Sequence, residues 1–256
     1  MERIEKALTE KRKKVFVPYI MAGDGGLEAL KERLLFLQDS GADAIEIGIP
    51  FSDPVADGPT IQKAGIRALA RGITVKKVLK DLTSYKTEIK IPLILMTYAN
   101  PVVAYGVEAF AVDAANAGIS GCIIPDLPLE EEELVLAPFK QNDISLIRLV
   151  TLTTPKERIK KIAESAAGFI YAVTVTGITG SRNKFSEDLA EFLSFVKSES
   201  PVPVLAGFGV STEEQVEEVC RHCDGVIVGS KIIDLFEQND LEKIRNLVLS
   251  AEKISV

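Results

Sequence analysis

Cysteine and histidine are scarce in this chain of 256 residues, and tryptophan is missing. The chain contains three cysteines and one histidine. Three cysteines make no disulfide framework and fit a reducing compartment, so we expect a cytoplasmic protein. The histidine lies in Cys220-Arg221-His222-Cys223, at the end of a predicted helix that leads into the bottom of a strand. This position favours a structural role over a metal or redox centre.

The chain also lacks long apolar runs and an excess of positive charge. Its longest apolar stretches, such as Ile91–Met96, are far shorter than a membrane span. The segment MERIEKALTEKRKK has no apolar core, so we expect no signal peptide. Thirty Lys and Arg against 37 Asp and Glu leave a net charge of −7. We therefore expect neither membrane binding nor nucleic-acid binding.

Several well-known catalytic motifs are absent as well. The chain has no Walker A motif, no HExxH zinc motif and no dinucleotide-binding fingerprint. Apolar residues make up 46% and charged residues 26%, which is ordinary globular composition and excludes wholesale disorder.

Short segments rich in Val and Ile alternate with longer segments of helical periodicity. The predicted strands are Val15–Ile20, Ala44–Gly48, Leu93–Thr97, Cys122–Ile124, Ile144–Val150, Gly168–Val173, Val202–Ala206 and Gly225–Val228. The predicted helices include Leu27–Ser40, Thr60–Arg71, Val107–Ala117, Glu131–Gln141, Lys156–Ser165, Ser186–Lys197, Thr212–Arg221 and Leu241–Glu252. Eight such units in about 250 residues predict one (β/α)₈ barrel, a single domain over residues 1–256. A further helix, Ile4–Lys13, precedes the first strand and is expected to cover the bottom of the barrel.

Two connections are unusually long. The segment Ile49–Pro92 follows the second predicted strand, and the loop Thr174–Lys184 follows the sixth. Both leave the carboxyl ends of strands, where the active sites of such barrels lie. Both are therefore candidate parts of an active site, and their length is typical of lids.

Glu46 interrupts an otherwise apolar predicted strand. Strand alternation places Ile45 and Ile47 on one face and Glu46 on the other, which we expect to be the barrel interior. Burial raises the pKa of a carboxyl group and suits it to proton transfer at neutral pH. The alternative is a buried structural ion pair.

Asp57 lies in the loop that follows this strand and could meet Glu46 at the mouth of the barrel. Asp53, in the same loop, is a competitor for that place. For both residues the alternative is that the aspartate organises a turn, and for Asp53 this is the preferred interpretation.

Glycines after the seventh and eighth predicted strands indicate a phosphate site. They occur in Ala206–Ser211 and in Val228–Lys231, and the second segment opens a helix. Backbone N–H groups at glycines and at a helix N-terminus bind anions, and these two loops are the usual phosphate site of such barrels. Gly180, in the loop after the sixth strand, could complete the site.

The stretch GADAIEIGIPFSDPVADGPTIQ, residues 41–62, closely resembles the signature of the tryptophan synthase alpha chain family. Further resemblances follow in the family's order along the chain, at Phe16–Tyr19, Met96–Pro101, Pro125–Pro128, Gly177–Gly180 and Gly207–Val210. The resemblance implies cleavage of indole-3-glycerol phosphate to indole and glyceraldehyde 3-phosphate. It also implies an α2β2 complex with a beta chain that carries pyridoxal phosphate and receives the indole. The retro-aldol chemistry that the resemblance implies requires no metal ion and no organic cofactor in this chain.

The resemblance also implies roles for individual residues. Glu46 matches the general acid/base, Asp57 matches the residue that binds the indole N–H, and Thr179 matches a loop residue that helps to order it. Tyr171 matches a tyrosine beside the catalytic carboxylate. The remaining matches are to the indole pocket at Tyr19, Tyr98, Ile61, Ile123 and Phe208, and to phosphate ligands at Gly180, Gly209, Gly229 and Ser230.

The chain departs from the family pattern in two places. Thr174-Val175-Thr176 stands where many members have a Ser-Arg pair, and Gly23-Asp24-Gly25 stands where Gly-Asp-Pro is common. We expect both departures to affect subunit coupling rather than chemistry. Two rival functions remain: another phosphate-binding barrel enzyme, such as a sugar-phosphate isomerase or epimerase, and a chain that mainly activates a beta subunit.

Overall fold

Eight parallel strands close into a barrel in the computed structural model, which describes residues 3–9, 14–174, 187–207 and 209–254. Each strand pairs with the next along the chain, and the eighth pairs with the first. The strands are β1 (Val15–Met21), β2 (Ile45–Gly48), β3 (Leu93–Met96), β4 (Ile119–Ile123), β5 (Ser145–Thr151), β6 (Ile170–Val173), β7 (Val204–Gly207) and β8 (Gly225–Val228). The predicted (β/α)₈ fold is confirmed.

Helices follow the strands and surround the barrel. They are α1 (Arg3–Thr9), α2 (Leu27–Asp39), α3 (Pro59–Ala70), α4 (Val75–Tyr85), α5 (Ala99–Tyr105), α6 (Val107–Asn116), α7 (Glu133–Gln141), α8 (Lys156–Glu164), α9 (Glu187–Glu199), α10 (Glu213–Cys220), α11 (Ser230–Glu237) and α12 (Leu241–Ser250). Both α3 and α4 lie in the long segment between β2 and β3. Within the described ranges, no helix is long and apolar enough to cross a membrane.

The N-terminal helix α1 covers the bottom of the barrel, as predicted. Ile4 is completely buried, and a Cβ atom built on Gly121 would lie 2.6 Å from the Ile4 Cδ1 atom. Gly121 therefore leaves the space that Ile4 fills. The Glu5 carboxylate in turn accepts a hydrogen bond from the backbone N–H of Gly168, 3.1 Å away, which ties α1 to the start of β6.

The strand register determines which side chains share the barrel interior. Tyr19 on β1 is aligned with Glu46 on β2, and Glu46 with Ile94 on β3. Side chains aligned across parallel strands point to the same face, so these three side chains lie side by side inside the barrel. Tyr171 on β6 faces the interior as well, because the charge of the interior residue Glu46 acts on its buried hydroxyl.

Differences between the prediction and the structure include the start of β4 and the presence of α5. Strand β4 begins at Ile119, earlier than predicted, because the small residues Ser120 and Gly121 hide its apolar pattern. Helix α5 was not predicted. The Asp126 carboxylate accepts a hydrogen bond of 2.9 Å from the Ala99 N–H at the start of α5, so a residue distant in sequence satisfies this helix end.

The cysteines of the Cys220–Cys223 segment lie in the protein interior. All three cysteines are free and buried. The Cys223 thiol donates hydrogen bonds to the carbonyl oxygens of Val219 and Gly225, and burial raises the pKa of this thiol to about 11. Over the described ranges, no group of three or more His, Cys, Asp or Glu residues is placed to hold a metal ion.

Candidate active site

Glu46 is the most unusual charged residue of the barrel interior. It is 3% exposed, and none of the residues that the structure describes forms a hydrogen bond with its Oε2 atom. Burial, and secondly the nearby charge of Asp57, raise the pKa of the Glu46 carboxyl to about 8. Among the residues that the structure describes, no cation forms an ion pair with Glu46. The alternative of a structural ion pair therefore has no support, and Glu46 holds a proton at neutral pH.

Asp57 lies at the mouth of the barrel, in the loop between β2 and α3. Burial raises the pKa of its half-buried carboxyl to about 6, although a hydrogen bond from the Tyr98 hydroxyl opposes this shift. The backbone N–H of Ala56 donates to the Tyr98 oxygen at 3.2 Å, and the Gln62 side-chain amide donates to the Asp57 carbonyl at 2.9 Å. These bonds hold the loop in place, and Asp57 is mainly an anion at neutral pH.

Asp53, the other aspartate of this loop, lies on the protein surface. Its side chain is exposed, and its carboxylate accepts a hydrogen bond of 2.5 Å from the Ser52 hydroxyl. The Asp53 carbonyl also accepts from the Val55 N–H at 2.9 Å, which is a turn contact. The geometry agrees with the interpretation of Asp53 as a turn residue.

Three tyrosines surround the two carboxyl groups. The charges of both Asp57 and Glu46 act on Tyr19 and on Tyr171, whose hydroxyl pKa values burial raises well above the ordinary value. The pKa of Tyr98 is likewise raised, by burial and then by the charge of Asp57. All three hydroxyls therefore stay protonated over the usual pH range and serve as neutral hydrogen-bond donors.

Two glycines make room for these rings, and sequence reasoning missed them. A Cβ atom on Gly48 would lie 1.9 Å from the Tyr19 hydroxyl oxygen, and one on Gly207 would lie 2.3 Å from the Tyr171 hydroxyl oxygen. No real Cβ atom fits at such distances. A glycine at an inward strand position was the signal that could have identified both sites.

Apolar side chains line the same end of the barrel. A Cβ atom on Gly229 would lie 3.5 Å from Ile61 Cδ1 and 3.6 Å from the Cβ of Tyr19, so these three residues meet. Ile123 is buried on β4, two residues beyond the inward-facing Gly121, and therefore faces the interior. Ile61 and Ile123 thus lie where the sequence places an apolar pocket.

The predicted phosphate segments lie at the same end of the barrel. Gly229 is the N-cap of α11, Ser230 is its first residue, and the first turn of α11 contains no acidic residue. Gly209 has a backbone φ of +87°, a conformation that favours glycine. A helix N-terminus without an acidic residue attracts anions. Thr179, Gly180 and Phe208 lie outside the described residues.

At Gly23–Gly25, where the sequence departs from the family pattern, the structure contains an ion pair that sequence analysis did not predict. Asp24 is buried, and both of its carboxylate oxygens accept hydrogen bonds from Arg67, at 2.7 and 2.8 Å. Arg67 also pairs with Glu237 at the end of α11, at 2.7 Å. Asp24 therefore connects the loop after β1 to α3 and α11.

Comparison with known proteins gives consistent matches over the whole chain. The model of the family "Tryptophan synthase alpha chain" matches residues 6–255. The tryptophan synthase alpha chain of Bacillus anthracis (strain CDC 684 / NRRL 3495) is 52% identical over 253 residues, 99% of this chain and 98% of that protein.

Solved structures agree with this result. The alpha chain of tryptophan synthase from Legionella pneumophila subsp. pneumophila is 36% identical with a TM-score of 0.87, over 99% of this chain and 97% of that one. The aminoacrylate-bound tryptophan synthase from M. tuberculosis is 32% identical with a TM-score of 0.87, over 98% of each chain. With its barrel, its buried carboxyl pair and these full-length matches, the chain belongs to the tryptophan synthase alpha chain family, lyases of tryptophan biosynthesis that cleave indole-3-glycerol phosphate.

Proposed function

We propose that Glu46 and Asp57 carry out the cleavage of indole-3-glycerol phosphate at the upper end of the barrel. The observation that carries the proposal is the difference between the two carboxyl groups. At neutral pH the completely buried Glu46 holds a proton, while Asp57 at the mouth is ionised, since their pKa values are about 8 and about 6. One group can therefore act as an acid while the other stabilises positive charge.

The reaction is a retro-aldol cleavage, and its proton steps fit this pair. Glu46 gives its proton to C3 of the indole ring, which leaves positive charge on the ring nitrogen, next to the Asp57 anion. The Glu46 carboxylate then takes the proton of the hydroxyl group on the chain carbon attached to the ring. The bond between that carbon and C3 breaks, its electron pair returns to the ring, and indole and an aldehyde are released. Glu46 ends protonated, as it began.

We further propose a binding role for the surrounding residues. The indole ring binds between the apolar surfaces of five side chains, Tyr19, Tyr98, Tyr171, Ile61 and Ile123. The phosphate binds to the backbone at Gly209, Gly229 and Ser230, which fixes the reacting atoms against Glu46. For Phe208 in the indole pocket, Gly180 at the phosphate and Thr179 beside Asp57, the proposal rests on the family resemblance alone.

The proposal extends to the assembly. We propose that residues 1–256 form one domain, which acts in the cytoplasm in an α2β2 complex with a tryptophan synthase beta chain. That beta chain would hold pyridoxal phosphate and receive the indole. The chemistry described above needs no metal ion or organic cofactor in this chain. The three free cysteines are compatible with a reducing compartment.

The test is indole release from indole-3-glycerol phosphate by the purified chain, with and without a beta chain. Glu46→Gln should abolish release in both conditions while the far-UV circular dichroism spectrum stays unchanged. Asp57→Asn should lower release at least about 100-fold because the ring nitrogen loses its counter-charge. Substantial turnover by Glu46→Gln would refute its role. An inactive but folded wild-type chain in both conditions would favour the rival function, a chain that mainly activates its partner.

A further inference from the structure

The Tyr19 hydroxyl is an unusual feature of the barrel interior. The Tyr19 side chain is 3% exposed, and its oxygen atom has no hydrogen-bond partner among the described residues. A buried hydroxyl without a partner costs about 1–3 kcal/mol, so such groups are rare in folded proteins. A phenylalanine at this position would avoid that cost. The group therefore requires an explanation.

The position of this hydroxyl is well defined. The Cα of Tyr19 is aligned with that of Glu46 on the neighbouring strand, and both side chains face the interior. The ring leans from β1 across β2, so that its oxygen lies against the backbone of Gly48, where a Cβ atom would be only 1.9 Å away. Gly48 follows Glu46 on the same face, one step nearer to the mouth of the barrel. The hydroxyl thus lies on the substrate side of Glu46.

A second polar atom without a partner belongs to Glu46, the residue aligned with Tyr19 on the neighbouring strand. The Oε2 atom of Glu46 is buried and has no hydrogen-bond partner among the described residues. The two atoms differ in chemistry. The Tyr19 hydroxyl is a donor, because burial and the charges of Asp57 and Glu46 keep it protonated, whereas an ionised Glu46 is an acceptor. A single alcohol group placed between them would satisfy both, since an alcohol can donate one hydrogen bond and accept another.

The proposed substrate has such an alcohol at the reacting carbon. We propose that the Tyr19 hydroxyl is a catalytic residue that donates a hydrogen bond to the oxygen of the substrate hydroxyl whose proton Glu46 removes. This inference rests on the proposed function of Glu46. As that proton leaves, negative charge develops on the oxygen, and a fixed neutral donor stabilises it until the C–C bond breaks and the oxygen becomes the aldehyde carbonyl. Tyr19 itself transfers no proton.

The test compares the wild-type chain with Tyr19→Phe, which removes only the hydroxyl. The substrate is indole-3-glycerol phosphate, and the probe is its analogue in which the hydroxyl next to the ring is replaced by hydrogen. We expect Tyr19→Phe to lower kcat/KM for the substrate about tenfold, the value of one hydrogen bond. The Kd of the deoxy analogue should stay within about twofold, because the analogue has no oxygen at that position.

Tyr85→Phe is the matched control, since it removes another buried tyrosine hydroxyl far from the carboxyl pair. The Tyr85 hydroxyl donates to Asp81 at 2.8 Å, so its loss should lower stability and leave both kinetic and binding values unchanged. Tyr19→Phe should not lower stability, because the free chain loses no hydrogen bond.

Two results would overturn the inference: an unchanged kcat/KM for Tyr19→Phe, or an equal loss of affinity for the deoxy analogue. Glu46→Gln is measured in parallel. If that variant still cleaves the substrate, the proposed function itself is wrong. If it is inactive while Tyr19→Phe has wild-type kcat/KM, only the role of the Tyr19 hydroxyl is wrong.

Discussion

Replacing Glu46 by glutamine should make the folded chain more stable as the pH rises, relative to the wild type. The Glu46 carboxyl has a pKa of about 8 in the folded state against an ordinary value of 4.5, because burial disfavours its charged form. The folded state therefore binds a proton more tightly than the unfolded state does. The stability that the Glu46 carboxyl contributes is fully present below pH 4.5 and is lost progressively as the pH rises through 8. Glutamine cannot ionise, so the variant lacks this loss.

The size of the effect follows from the two pKa values. For a group that titrates at 4.5 unfolded and at about 8 folded, the linkage relation gives a loss of about 4 kcal/mol in the free energy of unfolding between pH 5 and pH 9. Urea titrations of both proteins at pH 5, 6, 7, 8 and 9 measure it. Relative to the wild type, the free energy of unfolding of the variant should rise by about this amount from pH 5 to pH 9. The free-energy cost of burying the glutamine amide is the same at each pH, so it cancels when the pH values are compared.

The exposed Glu32 on α2 provides the control. Glu32→Gln makes the same substitution at an exposed position and measures the effect of losing a surface carboxyl group. The reasoning is wrong if the difference between wild type and Glu46→Gln is flat from pH 5 to pH 9. Such a result would mean that Glu46 is ionised in the folded chain, and the proposed acid step would fail with it.

Two further predictions concern a close contact and an ion pair in the protein interior. Gly48→Ala places a Cβ atom 1.9 Å from the Tyr19 hydroxyl oxygen, so we expect a loss of stability of about 1–3 kcal/mol and of most cleavage activity. Adding Tyr19→Leu to Gly48→Ala should restore the urea midpoint but not the activity. A Gly48→Ala chain with wild-type kcat would contradict the assigned position of the Tyr19 ring. Arg148→Met should cost about 3–5 kcal/mol, because the buried Glu132 loses a two-pronged ion pair with contacts of 2.7 and 3.0 Å. Adding Glu132→Leu should recover most of this, and no recovery would show that the ion pair is not the cause.

The amino-acid sequence was sufficient to predict the architecture and to propose the residues of the candidate site. Short strands rich in Val and Ile that alternate with amphipathic helices admit few folds, and a carboxylate inside such a strand indicates an unusual function. The positions of Glu46, Asp57 and the glycines after the last two strands could therefore be predicted. These patterns are local, or are carried by the family signature over residues 41–62.

The different pKa values of these carboxyl groups, by contrast, depend on the tertiary structure. Glu46 and Asp57 are both carboxylic acids, and only the depth at which the barrel holds each one separates their pKa values. Likewise, nothing local to Gly48 shows that a tyrosine from the neighbouring strand needs its space, and nothing near Asp24 shows that Arg67 will pair with it. Desolvation, charge proximity and steric exclusion depend on distances between segments remote in sequence, and those distances exist only once the barrel has closed.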